Sequence, residues 1–251
     1  MSTLKGILIW AGFVVVAGGI YVWLFGVQTA TALIVRYKFR GFPDVAETPA
    51  PLSDLSISTE RHKVVSYFGY EFELPWDNVD EAKDKTFGTV HVTYFRSGDV
   101  FWFSTFPPRD FVKEVMKTEK LTPKDFDELY GHGAAESDYT FHEKMLEITP
   151  SEITPFISRT KAVSSAELLL EKAISMPKAD SGIFSVETRE FRGFQFENPQ
   201  TRPSRITVEL FSADGGIDVM FLQKAGVPEI SQREVNRIIQ SIHKIPLPKS
   251  S

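Results

Sequence analysis

The apolar positions of this chain fall into an unbroken run, then alternating segments, then segments spaced three and four apart. The unbroken run comes first: from Gly6 to Val35 there is no charged side chain, and Gly6 to Val27 is almost wholly Ile, Leu, Val, Phe, Ala, Gly and aromatic. About 20 such residues, at about 1.5 Å rise each, cross about 30 Å of hydrocarbon. A lone span must satisfy its own backbone hydrogen bonds, so the form predicted is a single transmembrane helix of the signal-anchor type. Trp10, Tyr21 and Trp23 lie towards its ends, where amphipathic rings settle at an interface. The competing reading is a cleaved signal peptide, with Lys5 as a basic n-region and Ala30-Thr31-Ala32 as a small-x-small cleavage site. The apolar run exceeds the usual h-region of about 7–15 residues, which favours an uncleaved anchor. Gly12, Gly19 and Gly26 recur every seven residues and line one stripe, a packing face through which such helices self-associate.

Behind the anchor, Arg36, Lys38 and Arg40 form a basic juxtamembrane segment that closes the unit at residues 1–42. Lys5 precedes the span and these three follow it, so the positive-inside rule gives no clean orientation. A short basic tail ahead of a long apolar run favours an extracytoplasmic domain. Residues 43–58, proline-rich and acidic from Pro43 to Pro51, read as a semi-extended linker.

Residues 59–246 read as one α+β domain, a mainly antiparallel sheet covered by helices, with a tail at 247–251. Phe68, Tyr70, Phe72, Leu74 and Trp76 alternate with Gly69, Glu71, Glu73 and Pro75, the period of a half-buried strand. Phe87 to Phe95 and Val100 to Phe106 make a hairpin around Arg96-Ser97-Gly98-Asp99. Residues 109–176 turn helical. Thr122-Pro123-Lys124-Asp125 and Thr149-Pro150-Ser151-Glu152 are helix starts, and Ser164-Ser165-Ala166-Glu167 is a capping box leading into Leu168, Leu169, Leu170 and Ile174. Strands return from Gly182 to Gln223, with a turn at 212–216. A last helix starts at Ser231 and groups Val235, Ile238, Ile239 and Ile242 on one face.

Gly69-Tyr70-Glu71-Phe72-Glu73-Leu74-Pro75 is echoed by Gly193-Phe194-Gln195-Phe196-Glu197-Asn198-Pro199. The favoured reading is one sheet formed by both halves with the helical middle as a crossover; two domains is the alternative. The first of these segments, extended to Trp76, has the form Gly-aromatic-x-Phe-x-x-Pro-Trp. With the later hairpins and the final amphipathic helix it resembles the PsbP-like α/β sandwich fold. The resemblance implies a binding or accessory role and supplies no catalytic residue.

Composition narrows the functions. The net charge of −5, with no basic cluster beyond the juxtamembrane segment, argues against nucleic acid as a partner. The absence of Cys removes disulfides, thiol catalysis, Cys-ligated metals and a lipidated-Cys anchor. Twenty-one Phe, mostly at strand-like positions, read as a large aromatic core.

Motifs that would carry chemistry are thin. His142-Glu143 begins an HExxH motif, but Leu146 stands where the second imidazole should be. Asp127, His132, Asp138 and His142, with Glu128 and Glu136 nearby, are the candidates for a metal site in the 127–143 loop; a solvated acidic loop is the competing reading. Ser158-Arg159-Thr160-Lys161 has the Ser-x-x-Lys spacing without its companion motifs. His91 reads as a hydrogen-bonded sheet histidine rather than a base, and Glu71 with Glu73 as a solvated strand face. No cofactor is called for. The leading expectation is a membrane-tethered, non-catalytic domain that binds a protein or ligand near the bilayer. The alternatives are a membrane-bound hydrolase or metal-dependent enzyme using the 127–143 loop, and an assembly subunit associating through its transmembrane helix.

Overall fold

The computed structural model describes residues 26–41, 46–52, 56–106, 111–175, 182–197, 205–213, 215–226 and 230–245. They form two compact units, each assembled from separated stretches of chain. The first takes the described residues within 1–46, 121–136 and 141–179; the second takes those within 47–120, 137–140 and 180–251.

The first unit is helical. It holds α1 (residues 26–38), α3 (Pro123–Tyr130), most of α4 (Asp138–Glu147), a 3₁₀ turn at Pro150–Glu152 and α5 (Arg159–Ser175). The start of α3 follows from its sequence: Pro123 occupies the first turn, Thr122 accepts from the Asp125 N–H, and the Asp125 carboxylate takes the Thr122 N–H at 2.9 Å. Phe126, Phe141, Met145, Leu146, Ile153, Ala162 and Leu168 are buried, with the Phe126 and Phe141 rings 5.8 Å apart. On α1, Ala32 is fully buried and the Thr29 hydroxyl donates to the Pro155 carbonyl at 3.1 Å.

The second unit carries two sheets and two helices, α2 (Phe111–Glu119) and α6 (Gln232–Ser241). The larger sheet has eight strands: β1 (Ala50–Pro51), β7 (Ile183–Glu187), β8 (Arg192–Phe196), β9 (Arg205–Ser212), β10 (Gly215–Leu222), β6 (Val100–Phe106), β5 (Val90–Tyr94) and β4 (Lys85–Phe87), in that spatial order. The smaller joins β11 (His243–Lys244), β3 (Tyr70–Glu73) and β2 (Val64–Tyr67). Alternation along the strands gives the large sheet one inner face of Phe101, Phe103, Ile206, Val208, Leu210, Ile217, Val219 and Phe221. Against it pack Tyr70 and Phe72 of the small sheet, Leu74 just after β3, Val235, Ile238 and Ile239 of α6, and Ile242 at its C-cap. Phe72 stacks on Phe103 with centroids 4.3 Å apart. On the opposite face, the Tyr139 ring lies parallel to Phe194 at 4.9 Å, and the Arg192 guanidinium sits 4.3 Å from the Tyr139 centroid.

The α+β class holds, while the membrane-spanning part of the expected fold class is corrected. The larger sheet is antiparallel at every described strand pairing but one, and it is mixed because Ala50–Pro51, inside the segment read as a linker, pairs in parallel with Phe184 and Ser185. Among the described residues no helix is long and apolar enough to cross a membrane. The expected span from Gly6 to Val27, with Gly12 and Gly19, lies outside the described residues apart from its last two. Those two, Gly26 and Val27, are the first described residues of α1, a helix that seats Thr29 and Ala32 in the first unit and carries Arg36 and Lys38 in its last turns.

Three local readings also shift. Ser164 to Glu167 lie within α5 rather than at its start, since the helix begins at Arg159. Phe68 and Gly69 are not strand but a two-residue turn between β2 and β3, with φ of 52° and 82°. Positive φ at both positions matches the right-handed twist of a hairpin, and the glycine adopts it freely. The echo of this segment does a different job. Gly193 lies inside β8, where a Cβ would come within 1.8 Å of the Glu209 carbonyl, so only glycine lets β8 approach β9.

Candidate functional site

Among the described residues of the second unit, three side chains able to ligate a metal converge where the segment leading into β2 runs beside α6. Ser231 caps α6, accepting from the Glu234 N–H, while Glu234 Oε2 takes the Ser231 N–H at 2.6 Å. The helix holds the neighbouring segment by its backbone: the Ser58 N–H donates to the Arg233 carbonyl at 3.0 Å, and Arg237 Nη1 donates to the Ser58 carbonyl at 2.9 Å. Arg237 also grips Glu73 of β3 with two bonds, from Nε at 2.6 Å and Nη2 at 2.7 Å. That guanidinium holds the Glu73 carboxyl below the ordinary carboxylate range. Glu73 Oε2 in turn accepts the His62 N–H at 3.4 Å.

This framework fixes His62 against α6. One ligand atom from each of Glu60, His62 and Glu234 lies within 4.8 Å of the others. The His62 side chain is only 10% exposed, and its Nδ1 is 3.7 Å from Asp77 Oδ1. Neither ring nitrogen has a hydrogen-bond partner.

The residues singled out by sequence are placed elsewhere. Asp127 clasps the loop after α3, accepting from the Gly133 and Ala135 N–H groups at 3.0 and 2.9 Å, and His132 Nδ1 lies 3.5 Å from its Oδ2. His132 is itself fully exposed. His142 stands edge-on to Phe141 at 5.9 Å, and Asp138 accepts the Val112 N–H at the start of α2 at 3.0 Å. His91 is buried, stacked 3.7 Å from Tyr67, with its Nδ1 2.7 Å from Thr86 Oγ1; burial pulls its pKa below the ordinary imidazole value. Glu71 lies 3.3 Å from His243. Sequence reading passed over Glu60 and His62 because they precede the first strand without periodicity, and because Glu234 reads as a helix cap. Their one local signal was a Glu-x-His step beside a strand, which is common by chance.

A second surface feature belongs to α1. Its inward side carries Thr29 and Ala32, and its outward side leaves Val27, Leu33, Ile34 and Tyr37 50–67% exposed. Arg40 lies over the Tyr37 ring at 4.2 Å, and Arg36 and Lys38 flank it. No family model matches the chain, and no curated protein or solved structure matches it either.

Proposed function

We propose that the chain is a non-catalytic α+β binding domain that works at a membrane surface. The observation that carries this reading is the outward stripe of α1. Four large apolar side chains there lie open, directly after the uncharged residues 6–25 and directly before a cationic cluster. Burying a Val, Leu or Ile side chain gains about 1.5–3 kcal/mol, and each Lys or Arg near an anionic leaflet adds about 1 kcal/mol. Arg36, Lys38 and Arg40 supply that attraction in a chain whose net charge is otherwise negative. The occupant favoured for the stripe is therefore an anionic lipid surface. The resemblance to the PsbP-like fold points towards the same accessory role. The carboxylates weighed for catalysis are engaged structurally: Asp127 with loop amides, Asp138 with the start of α2, Glu73 with Arg237.

Single-cysteine labelling tests this directly, since the chain has no Cys of its own. The full chain is reconstituted in phosphatidylcholine–phosphatidylglycerol vesicles with an environment-sensitive dye at Ile34→Cys or, as a reference, at the exposed Lys124→Cys. A blue shift and quenching by brominated lipid are expected at position 34 and absent at 124. Equal, aqueous spectra at both positions would overturn the reading.

A further inference from the structure

We propose that Glu60, His62 and Glu234 form a divalent transition-metal site of the zinc type, which ties the segment leading into β2 to the first turn of α6. The inference goes beyond the membrane reading and does not depend on it. Two independent observations carry it. The first is the convergence of three ligand atoms from residues up to 174 positions apart within 4.8 Å. The second is the state of the imidazole: nine-tenths buried, fixed by its own N–H to Glu73, and without a hydrogen bond at either nitrogen. A buried polar group left in that condition is costly, and a cation at one nitrogen relieves it.

The geometry assigns roles. Nδ1 faces Asp77 at 3.7 Å, so Nε2 is the nitrogen left for the ion. A carboxylate behind a ligating imidazole is the usual means of fixing its tautomer and raising its basicity. Glu234 spends Oε2 on the Ser231 N–H, which leaves its second oxygen for the metal. Zinc binds N and O ligands at about 2.0–2.2 Å, which puts the ligand atoms of a tetrahedron about 3.4 Å apart. Glu60 is exposed, and rotation of its side chain brings its carboxylate towards the other two ligands.

The donor set selects the ion. Calcium and magnesium prefer all-oxygen surroundings, whereas an imidazole suits zinc and its neighbours in the transition series. The chain has no Cys, so a mixed nitrogen–oxygen site is the form open to it. Three protein ligands leave a fourth position for water. The positive end of α6 opposes a cation by about half a charge, and Glu60, Glu234 and Asp77 outweigh it with three negative charges.

The test is calorimetric titration of the chelator-treated full chain with Zn²⁺. One equivalent is expected to bind, and thermal unfolding is expected to move upward with zinc. His62→Ala should abolish both effects. Glu60→Gln, at an exposed position where misfolding is not at issue, should weaken binding at least tenfold. His132→Ala should leave it unchanged. The proposal is overturned by an absence of saturable binding, by an affinity that ignores both His62→Ala and Glu60→Gln, or by loss of binding in His132→Ala.

Discussion

At the scale of single residues, burial decides behaviour more than identity does. Asp218 of β10 stands on the large sheet's second face, its Oδ2 accepting from Ser104 Oγ at 3.4 Å. Burial raises its pKa from 3.8 to about 6, and the serine offsets only part of that. The folded chain therefore holds this proton more tightly than the unfolded chain. The resulting stability is fully present below about pH 4 and is lost as pH rises through 6. A shift of about two units corresponds to about 2–3 kcal/mol between those limits. Asp218→Asn, which cannot ionise, is expected to gain on the native chain by about that amount as pH rises from 4 to 8. Urea midpoints across that range measure the gap, and a gap independent of pH would contradict the account. Glu73 runs the opposite way. Arg237 lowers its pKa, so its contribution is present at neutral pH and is lost in acid.

At the scale of elements, two helix starts were legible, the start of α5 was misplaced, and the distant pairings were hidden. The caps at Thr122 and Ser231 are written within four residues each, and both form as read. The one-faced spacing of Val235, Ile238, Ile239 and Ile242 likewise specified what α6 buries. Two residues of β1 pairing with β7 leave no periodic trace, and His62 reaches Glu234 only through the folded small sheet. The helix ends were equally hidden, because their caps come from another helix. Lys161 and Lys172 are three turns apart on α5. Lys161 Nζ donates to the Leu129 carbonyl near the end of α3, and Lys172 Nζ to the Leu146 and Ile148 carbonyls at the end of α4, at 2.7 and 3.1 Å. Cations suit helix C-termini, where carbonyls lack intrahelical partners. Lys172→Met keeps the stem but strands two buried carbonyls, at an expected cost of about 2–4 kcal/mol in guanidinium unfolding. Lys124→Met, which removes an exposed pair to Glu128 at 3.8 Å, should leave the midpoint unmoved.

At the scale of the whole molecule, the sequence suggested an anchor followed by a separate domain, yet residues 26–41 belong to the first compact unit. Charge-free composition alone could not distinguish a helix bathed in lipid from one that packs a single side against protein. What distinguishes α1 is the contrast between its faces: Ala32 fully buried and Thr29 bonded to Pro155, against the open stripe from Val27 to Tyr37. Each unit has its own buried side chains, Phe126, Phe141 and Leu168 in one and Phe103, Val208 and Val219 in the other. Damage to α1 should therefore be read out in one core before the other. Ala32→Glu places a carboxylate where there is no exposed surface, and the helix must leave its seat for that charge to reach water. Hydrogen exchange is expected to quicken across α3, α4 and α5, while the amides of β6, β9 and β10 keep their native protection. Equal acceleration in both sets would show a single cooperative core, and no acceleration would show that α1 contributes nothing to the helical unit.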